Sequence, residues 1–370
     1  MLEAVEWGEF LIGDLFEFHT SKKRFDANKV QVLEAGQYPY VVRTALNNGI
    51  KGFIDESPEF LNDGNTISFG QDTATMFYQK KPYFTGDKIK IMKAKFRKFN
   101  GRNAQFILPV MSKAFSSFSW GSSSFKVSEL KNVKCQLPVQ NGNLHLDFME
   151  NFVAELEARR SAELEAYLSA AGLKDYTLTT EEVRALEALE NREITFIEYK
   201  VVDLFTVKNT NNILSRDVTP NSGNTPYLSA SRENNAVSSY ISHRENLIDK
   251  GNCIFIGGKT FVVTYQAEDF YSNDSHNLCL YLKEKEEASK LNQLCIISCI
   301  ERNLGHKYSW GDSISNKKIQ TDTVFLPSKN GKPDYGYMQT LISAVQKQVI
   351  KDVVHYADEK IAATKTVTAR

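Results

Sequence analysis

The side chains of this sequence best suited to chemistry lie in short polar clusters, and their types fit the edges and phosphates of a nucleic-acid duplex. Arg43, Thr44, Asn47, Asn48 and Lys51 follow an apolar run. Arginine and asparagine make paired hydrogen bonds to guanine and adenine edges. In the second half of the chain Ser229, Arg232, Asn234 and Asn235 stand in a similar setting. Gln71, Thr73 and Thr75 come after Gly70, as Lys259 and Thr260 come after Gly257-Gly258. A third group comprises Ser122, Ser123, Ser124 and Lys126 after Trp120-Gly121, with Asp312, Ser313, Ser315, Lys317 and Lys318 after Trp310-Gly311; Lys307 is a weaker candidate for phosphate contact. Short polar side chains beside lysines suit mixed base and phosphate contact. Each cluster has a plainer role available. Asn47 and Asn48 also suit a turn before Gly49, and Lys22, Lys23 and Arg24 suit a solvated loop as well as a phosphate clamp. Trp120 and Trp310 are expected in the core.

Catalytic patterns are sparse. Gly257-Gly258-Lys259-Thr260 ends like a phosphate-binding loop, but Cys253 occupies the place of its first glycine. Glu198-Tyr199-Lys200 has the spacing of a nuclease pair, yet it sits in a stretch that reads as a strand. His145 and His355 have no nucleophile beside them. Five scattered cysteines argue against a disulfide framework. Cys295 and Cys299, one helical turn apart, are expected to pack rather than to bind metal.

What positions the clusters is a duplication. Trp7-Gly8-Glu9-Phe10-Leu11-Ile12-Gly13-Asp14-Leu15-Phe16 aligns without a gap on Phe196-Ile197-Glu198-Tyr199-Lys200-Val201-Val202-Asp203-Leu204-Phe205, about 189 residues later. Tyr38-Pro39-Tyr40, Gly64-Asn65, Tyr83-Phe84, Ser119-Trp120-Gly121 and Leu137-Pro138 return in the same order. Their echoes are Thr225-Pro226-Tyr227, Gly251-Asn252, Phe270-Tyr271, Ser309-Trp310-Gly311 and Leu326-Pro327. A period of this length marks a duplicated domain, for which pseudo-twofold packing is natural.

Each block reads as mixed sheet with short helices, Ile67-Ser68-Phe69 alternating as a half-buried strand does and Asn100-Gly101 making a turn. A long amphipathic helix follows each block. Phe148, Met149, Phe152, Val153, Leu156, Leu164 and Leu168 form the seam of the first. Met338, Leu341, Ile342, Val345, Val349, Val353 and Tyr356 form that of the second. Gly172 stops the first helix, and Thr179 to Glu182 open a short extra one. The expected fold is α+β: a tandem duplication of a sheet-rich domain followed by a long helix, the two helices pairing as an antiparallel coiled coil with pseudo-twofold symmetry. The expected divisions are residues 1–142, 143–193, 194–332 and 333–370.

The formal net charge is zero, but its distribution is uneven. Residues 1–143 carry 19 basic and 14 acidic side chains, whereas 144–192 carry 5 and 11. One surface suited to phosphate and another suited to a protein partner fit that asymmetry. No apolar run approaches the roughly 18 residues of a membrane span, and Glu3, Glu6 and Glu9 do not suit a signal peptide. A cytoplasmic location, without membrane contact, is expected.

The Trp-Gly-Glu-Phe…Gly-Asp-Leu-Phe opening, the Tyr-Pro-Tyr…Asn-Asn-Gly stretch and the Leu-Pro close before each long helix resemble the specificity subunits of type I restriction-modification systems, over the whole chain. Glu165-Ala166-Tyr167-Leu168…Gly172-Leu173-Lys174-Asp175-Tyr176 also resembles the related type IIB (BcgI-like) specificity subunits. The resemblance implies a non-catalytic subunit whose two target-recognition domains each read half of a split, asymmetric site in double-stranded DNA. It implies docking of two adenine methyltransferase subunits on the long helices, where Glu155, Arg159, Glu163, Gln346 and Lys347 are the candidate contacts, and restriction subunits as further partners. No cofactor is expected in this chain; S-adenosylmethionine belongs to the methyltransferase. The alternatives are a coiled-coil scaffold that binds no DNA and a nuclease built on Glu198 and Lys200.

Overall fold

A computed structural model describes residues 2–116, 118 and 126–368. It divides into two compact units, Met1–Tyr167 with Ala357–Arg370, and Leu168–Tyr356. In the first unit β1 (Glu6–Leu11) leads through a one-turn helix α1 (Ile12–Leu15) to β2 (Phe16–Thr20). Next come β3 (Pro39–Val41), β4 (Ile50–Phe53), β5 (Thr66–Gly70), β6 (Thr75–Gln79), β7 (Phe84–Thr85) and β8 (Ile89–Ala94). Helices α2 (Gly101–Ala114) and α3 (Val127–Lys131), strands β9 (Lys134–Gln140) and β10 (Asn143–Leu144), and the long helix α4 (Leu146–Ala170) complete it. Three sheets result, ordered β2-β8-β5-β6, β4-β3-β7 and β1-β9-β10.

After helix α5 (Thr180–Glu190) the second unit repeats this order. It contains β11 (Phe196–Lys200), α6 (Val201–Leu204), β12 (Phe205–Asn209), β13 (Thr225–Leu228), β14 (Val237–Ile241), β15 (Cys253–Ile256), β16 (Val263–Gln266), β17 (Tyr271–Ser272) and β18 (Leu278–Leu282). Then come α7 (Lys290–Leu304), α8 (Asn316–Ile319), β19 (Thr323–Lys329), β20 (Lys332–Pro333) and the long helix α9 (Tyr335–Thr368). Its sheets, β12-β18-β15-β16, β14-β13-β17 and β11-β19-β20, match those of the first unit strand for strand.

The four-stranded sheet is the middle layer of each unit. Ile254 and Ile256 of β15 pack with Ile296 and Ile300 of α7, while Cys253 and Phe255 on the other face meet Leu228 of β13. β5 is likewise buried along its whole length, so Ile67-Ser68-Phe69 is not half-exposed as its alternation suggests. Ser68 is tolerated inside because its hydroxyl bonds to Phe77 O (3.3 Å) and accepts from the Gln79 amide (3.1 Å).

Local signals set the helix ends. Asn100, expected in a turn, caps α2 in a reciprocal box with Asn103, and Ser289 caps α7. Thr179 and Glu182 form the same box at α5. α4 closes with Leu173 N donating to Leu168 O (2.9 Å) and Gly172 N to Ser169 O (3.2 Å), with Gly172 in the left-handed region (φ 66°) that glycine adopts freely. The expected seam of α9 holds only in part. Met338 and Leu341 are buried, but Val345, Val349, Val353 and Tyr356 are 38%, 73%, 39% and 55% exposed. No helix of the described residues is long and apolar enough to cross a membrane.

Candidate nucleic-acid interface

Each unit brings two of the polar clusters to one end of its central sheet. In the first, the loop from β5 to β6 lies beside the segment that follows β3. A methyl group on Gly70 would meet Thr75 Oγ1, Thr73 Oγ1 and Arg43 Cγ at 2.4, 2.7 and 3.3 Å, so any larger residue would push these side chains out of their present places. Asp72 at the tip accepts from Arg43 (3.3 Å) and Lys88 (2.7 Å), and the Thr73 and Thr75 hydroxyls are 2.9 Å apart. Gln71 N donates to Lys88 O at 2.9 Å. Lys51 is exposed on β4, and Thr44 Oγ1 accepts from Leu46 N at 3.2 Å.

The second unit makes the same junction with other residues. Thr260 Oγ1 donates to Ala230 O (2.8 Å), next to Ser229, and Gly257 packs so closely that an added Cβ would lie 2.7 Å from that of Ala230. Lys259 pairs with Asp274 at 3.3 Å, and Asp274 also contacts His276 at 2.7 Å. Burial raises the Asp274 carboxyl, but its bonds to His276 and Lys259 prevail and leave it below the usual range. Arg232 and Asn234 are exposed nearby in sequence. Ala74 and Phe261, each just before the returning strand, hold left-handed conformations (φ 52° and 51°). Such conformations cost energy in a non-glycine residue and concentrate at functional loops.

The asparagine pairs serve the frame. Asn47 and Asn234 donate to Ile50 O (3.2 Å) and Val237 O (3.0 Å), all within their own turns. Asn48 and Asn235 donate to Tyr78 O (3.1 Å) and Tyr265 O (3.0 Å), and Gln79 and Gln266 answer by donating to Asn48 O and Asn235 O, both at 3.0 Å. All four asparagines have positive φ, which suits asparagine above most residues. The Asn47 and Asn234 amides are thus committed to turn geometry, leaving less of each side chain for a base edge.

The third cluster is partly described. Ser122 and Ser123, like Trp120, lie outside the described residues; Lys126 is exposed at the start of α3. In the second unit Lys307 pairs with the fully buried carboxylate of Asp322, which also accepts from Tyr308 OH (2.5 Å), so its charge is neutralised internally. Lys318 pairs with Asp312 and donates to Ser313 O (2.7 Å), while Lys317 is exposed. Tyr308 stacks on Phe261 with ring centroids 5.4 Å apart, which ties this loop to the Lys259–Thr260 loop. Trp310 departs most from expectation: it is 79% exposed, not core. Its turn is closed by reciprocal backbone bonds between Ser309 and Asp312 (3.2 and 3.1 Å).

On the long helices, Glu155 is exposed and Arg159 pairs with Glu163 at 3.0 Å. Gln346 is half-buried. Lys347, a candidate partner contact by the family resemblance, is bound to Glu182 Oε2 and Thr177 O, both at 2.9 Å. Burial would raise the Glu182 carboxyl, but Lys347, Ser343 and the Thr179 N–H outweigh it and hold it at about 2. Glu198 accepts from Thr323 Oγ1 (2.6 Å) across the β11–β19 pair. Among the described residues no three His, Cys, Asp or Glu side chains converge as a metal site would need.

The sequence profile of the type I restriction modification DNA specificity domain matches residues 4–166 and again 193–362. The chain belongs to this family. Both members of the duplication are therefore specificity domains, in a chain whose family serves DNA recognition. The specificity subunit of the type II restriction enzyme BcgI, from Heyndrickxia coagulans, is 25% identical over 360 residues, covering 95% of this chain and 97% of that one. The S subunit of a type I restriction-modification system from M. genitalium superposes with a TM-score of 0.64 at 12% identity, over 98% of this chain and 94% of that one. The specificity-subunit fold thus accounts for nearly the whole chain.

Proposed function

We propose that this chain reads a split, asymmetric site in double-stranded DNA, one half-site for each specificity domain. The observation that carries this is a shared frame with unlike tips. Tyr40 OH binds Phe25 O at 2.6 Å as Tyr227 OH binds Ile213 O at 2.7 Å, and Tyr78 binds Asn65 at 3.0 Å as Tyr265 binds Asn252 at 3.1 Å. At the loops the first unit presents Arg43, Asp72, Thr73 and Lys88, and the second Lys259, Thr260, Asp274 and His276. Two readers on one scaffold with different side chains suit two unequal half-sites. Asp72 and Asp274 hold the basic groups in place and accept from cytosine amino groups.

Residues 1–142 and 194–332 are then the readers, and 143–193 and 333–370 the helical parts that follow them. The helices pair antiparallel, set the unread spacing and dock two copies of an adenine methyltransferase. That partner supplies S-adenosylmethionine in the cytoplasm, with restriction subunits as further members. At 1.5 Å per residue the 25 residues of α4 extend ~38 Å, close to the ~34–36 Å of one DNA turn. Exchanging residues 1–138 for those of a relative with a different target should change one half-site and spare the other. Methylome sequencing reads the outcome, and a change in both half-sites would refute the two-reader scheme.

A further inference from the structure

We propose that Trp310 is a DNA-contacting wedge of the second specificity domain, its indole buried against a base step of the half-site that this domain reads. The proposal rests on the reading above that this domain faces DNA. An indole is among the costliest groups to leave in water, and a partner that covers it gains a large apolar and stacking surface. Trp310 is 79% exposed, although the turn that carries it is anchored on every side. Tyr308 is stacked on Phe261 and bonded to the buried Asp322, Lys318 ties down Asp312 and Ser313, and Ile314 is 1% exposed. The exposed ring thus stands on a turn whose neighbouring residues are anchored. Gly311 beside it has no atom within 4 Å of where a Cβ would stand, so the tip is open to a bulky neighbour.

Charge around the tip selects the occupant. Lys317 is exposed just after it in sequence, and Lys318, held by Asp312, keeps its Nζ 5.8 Å from the Tyr308 ring centre, whereas Lys307 is taken up by Asp322. An exposed apolar ring with lysines close behind it in sequence suits the stacked bases and flanking phosphates of a duplex. The Phe261–Tyr308 stack also places this turn next to the Lys259–Thr260 loop, so one duplex can meet both. The ring then contributes through the ease of unstacking a step, which depends on sequence without a hydrogen bond to a base edge.

The test uses the full chain co-purified with its methyltransferase and a duplex bearing the methylated site, with 2-aminopurine placed in turn at each position of the half-site. Wild type should show one position whose fluorescence rises on binding, and W310A should abolish that rise. W310A should also weaken specific binding about 10- to 100-fold, the range seen when an aromatic that stacks on a base is truncated. W310F should recover most of both signals, and the melting temperature of W310A should match wild type. Wild-type affinity together with an unchanged fluorescence profile for W310A overturns the wedge. So does loss of methyltransferase from the W310A complex with DNA contact intact, since that places the indole on the protein partner. If the unaltered complex shows no preference for its methylated site, the two-reader scheme falls along with the wedge.

Discussion

The two units share strand order and buried polar bonds, yet they differ where the central helix meets the strand pair at the base of the unit. In the first, Phe106 of α2 is enclosed by rings: Trp7 of β1 stacks on it at 6.4 Å, and Phe148 and Phe152 of α4 approach it edge-on at 6.3 and 5.5 Å. At the corresponding positions the second unit has Cys295, Phe196, Tyr337 and Leu341. The smaller side chains leave a groove of about 860 Å³, lined by Leu189, Phe196, Cys295, Cys299, Leu341 and Val345 among others. Tyr337 turns away to bond Ala185 O of α5 (3.0 Å). Tandem copies therefore need not be equally tight: the first closes this seam with aromatic contact, and the second holds its long helix through α5. Removing a ring should expose the difference most strongly. Phe106→Ala is expected to cost about 3–5 kcal/mol by leaving a large void among rings that cannot all collapse. Chemical denaturation, with hydrogen exchange in β1 and β9, measures it. A loss below about 1 kcal/mol, far under the usual cost of such a truncation, would mean that the aromatic seam is not what holds the first unit.

The polar clamp of the second unit is the next test. Lys347 is 19% exposed and Glu182 7%, and together they join α5 to α9. Lys347→Met leaves the Glu182 carboxylate buried without its cation and should cost about 3 kcal/mol, whereas adding Glu182→Gln to the same chain should recover part of the loss. Folding lowers the Glu182 carboxyl from 4.5 to about 2. Its contribution is therefore complete above pH 4.5 and is lost as pH falls towards 2, about 3 kcal/mol in all. Protection of α5 amides should decline through that interval in wild type and hardly change in Glu182→Gln. A flat wild-type profile would remove the ion pair from the account.

How far such features can be read in the chain depends on the distance between partners. The duplication is legible because Tyr40 and Tyr227, or Asn48 and Asn235, occupy equivalent places in copies that share a frame. The helix caps are legible at Thr179 and Glu182, since cap and partner lie three residues apart. Lys347 reads as a solvent-facing docking residue because its partner, Glu182, is 165 positions away. Lys307 misleads for a related reason: Asp322 is near in sequence, but its complete burial is a tertiary fact. Recurrence misleads at Trp310, where a residue that returns with the frame reads as part of the frame although its ring stands outside it. The α9 seam fails in its second half because the buried positions fall on Ala344, Val354 and Ala357 instead of the expected valines, while Ser343 and Lys347 are bonded to Glu182 of α5.

The smallest expected effect separates the copies at one atom. Asn62 and Asp249 occupy equivalent sites at the edge of each small sheet, and both exchange backbone bonds with the next segment, Tyr83 and Phe270. Asn62 is satisfied from both ends, its carbonyl accepting from Lys22 N (3.1 Å) and its amide donating to Tyr83 O (3.1 Å). Asp249 can only accept while ionised, and does so from Asn211 N (3.0 Å) and the Asn211 amide (3.1 Å). The adjacent Lys250 is paired with Asp269 at 2.6 Å. Burial therefore prevails over the Asn211 bonds and raises the Asp249 carboxyl from 3.8 to about 6. Because folding favours its protonated form, that stabilisation is complete below pH 3.8 and is lost as pH rises through 6. Asp249→Asn copies the first unit and should stabilise the second by about 1–2 kcal/mol at about pH 8, allowing for partial exposure. The gain should vanish below about pH 4, where the carboxyl is protonated in both states. Asn62→Asp should impose the converse penalty on the first unit in the same alkaline buffer. Hydrogen exchange of β13 and β3 reports each unit separately, and an Asp249→Asn chain less protected in β13 than wild type in that buffer would show that the Asn211 bonds outweigh the burial of charge.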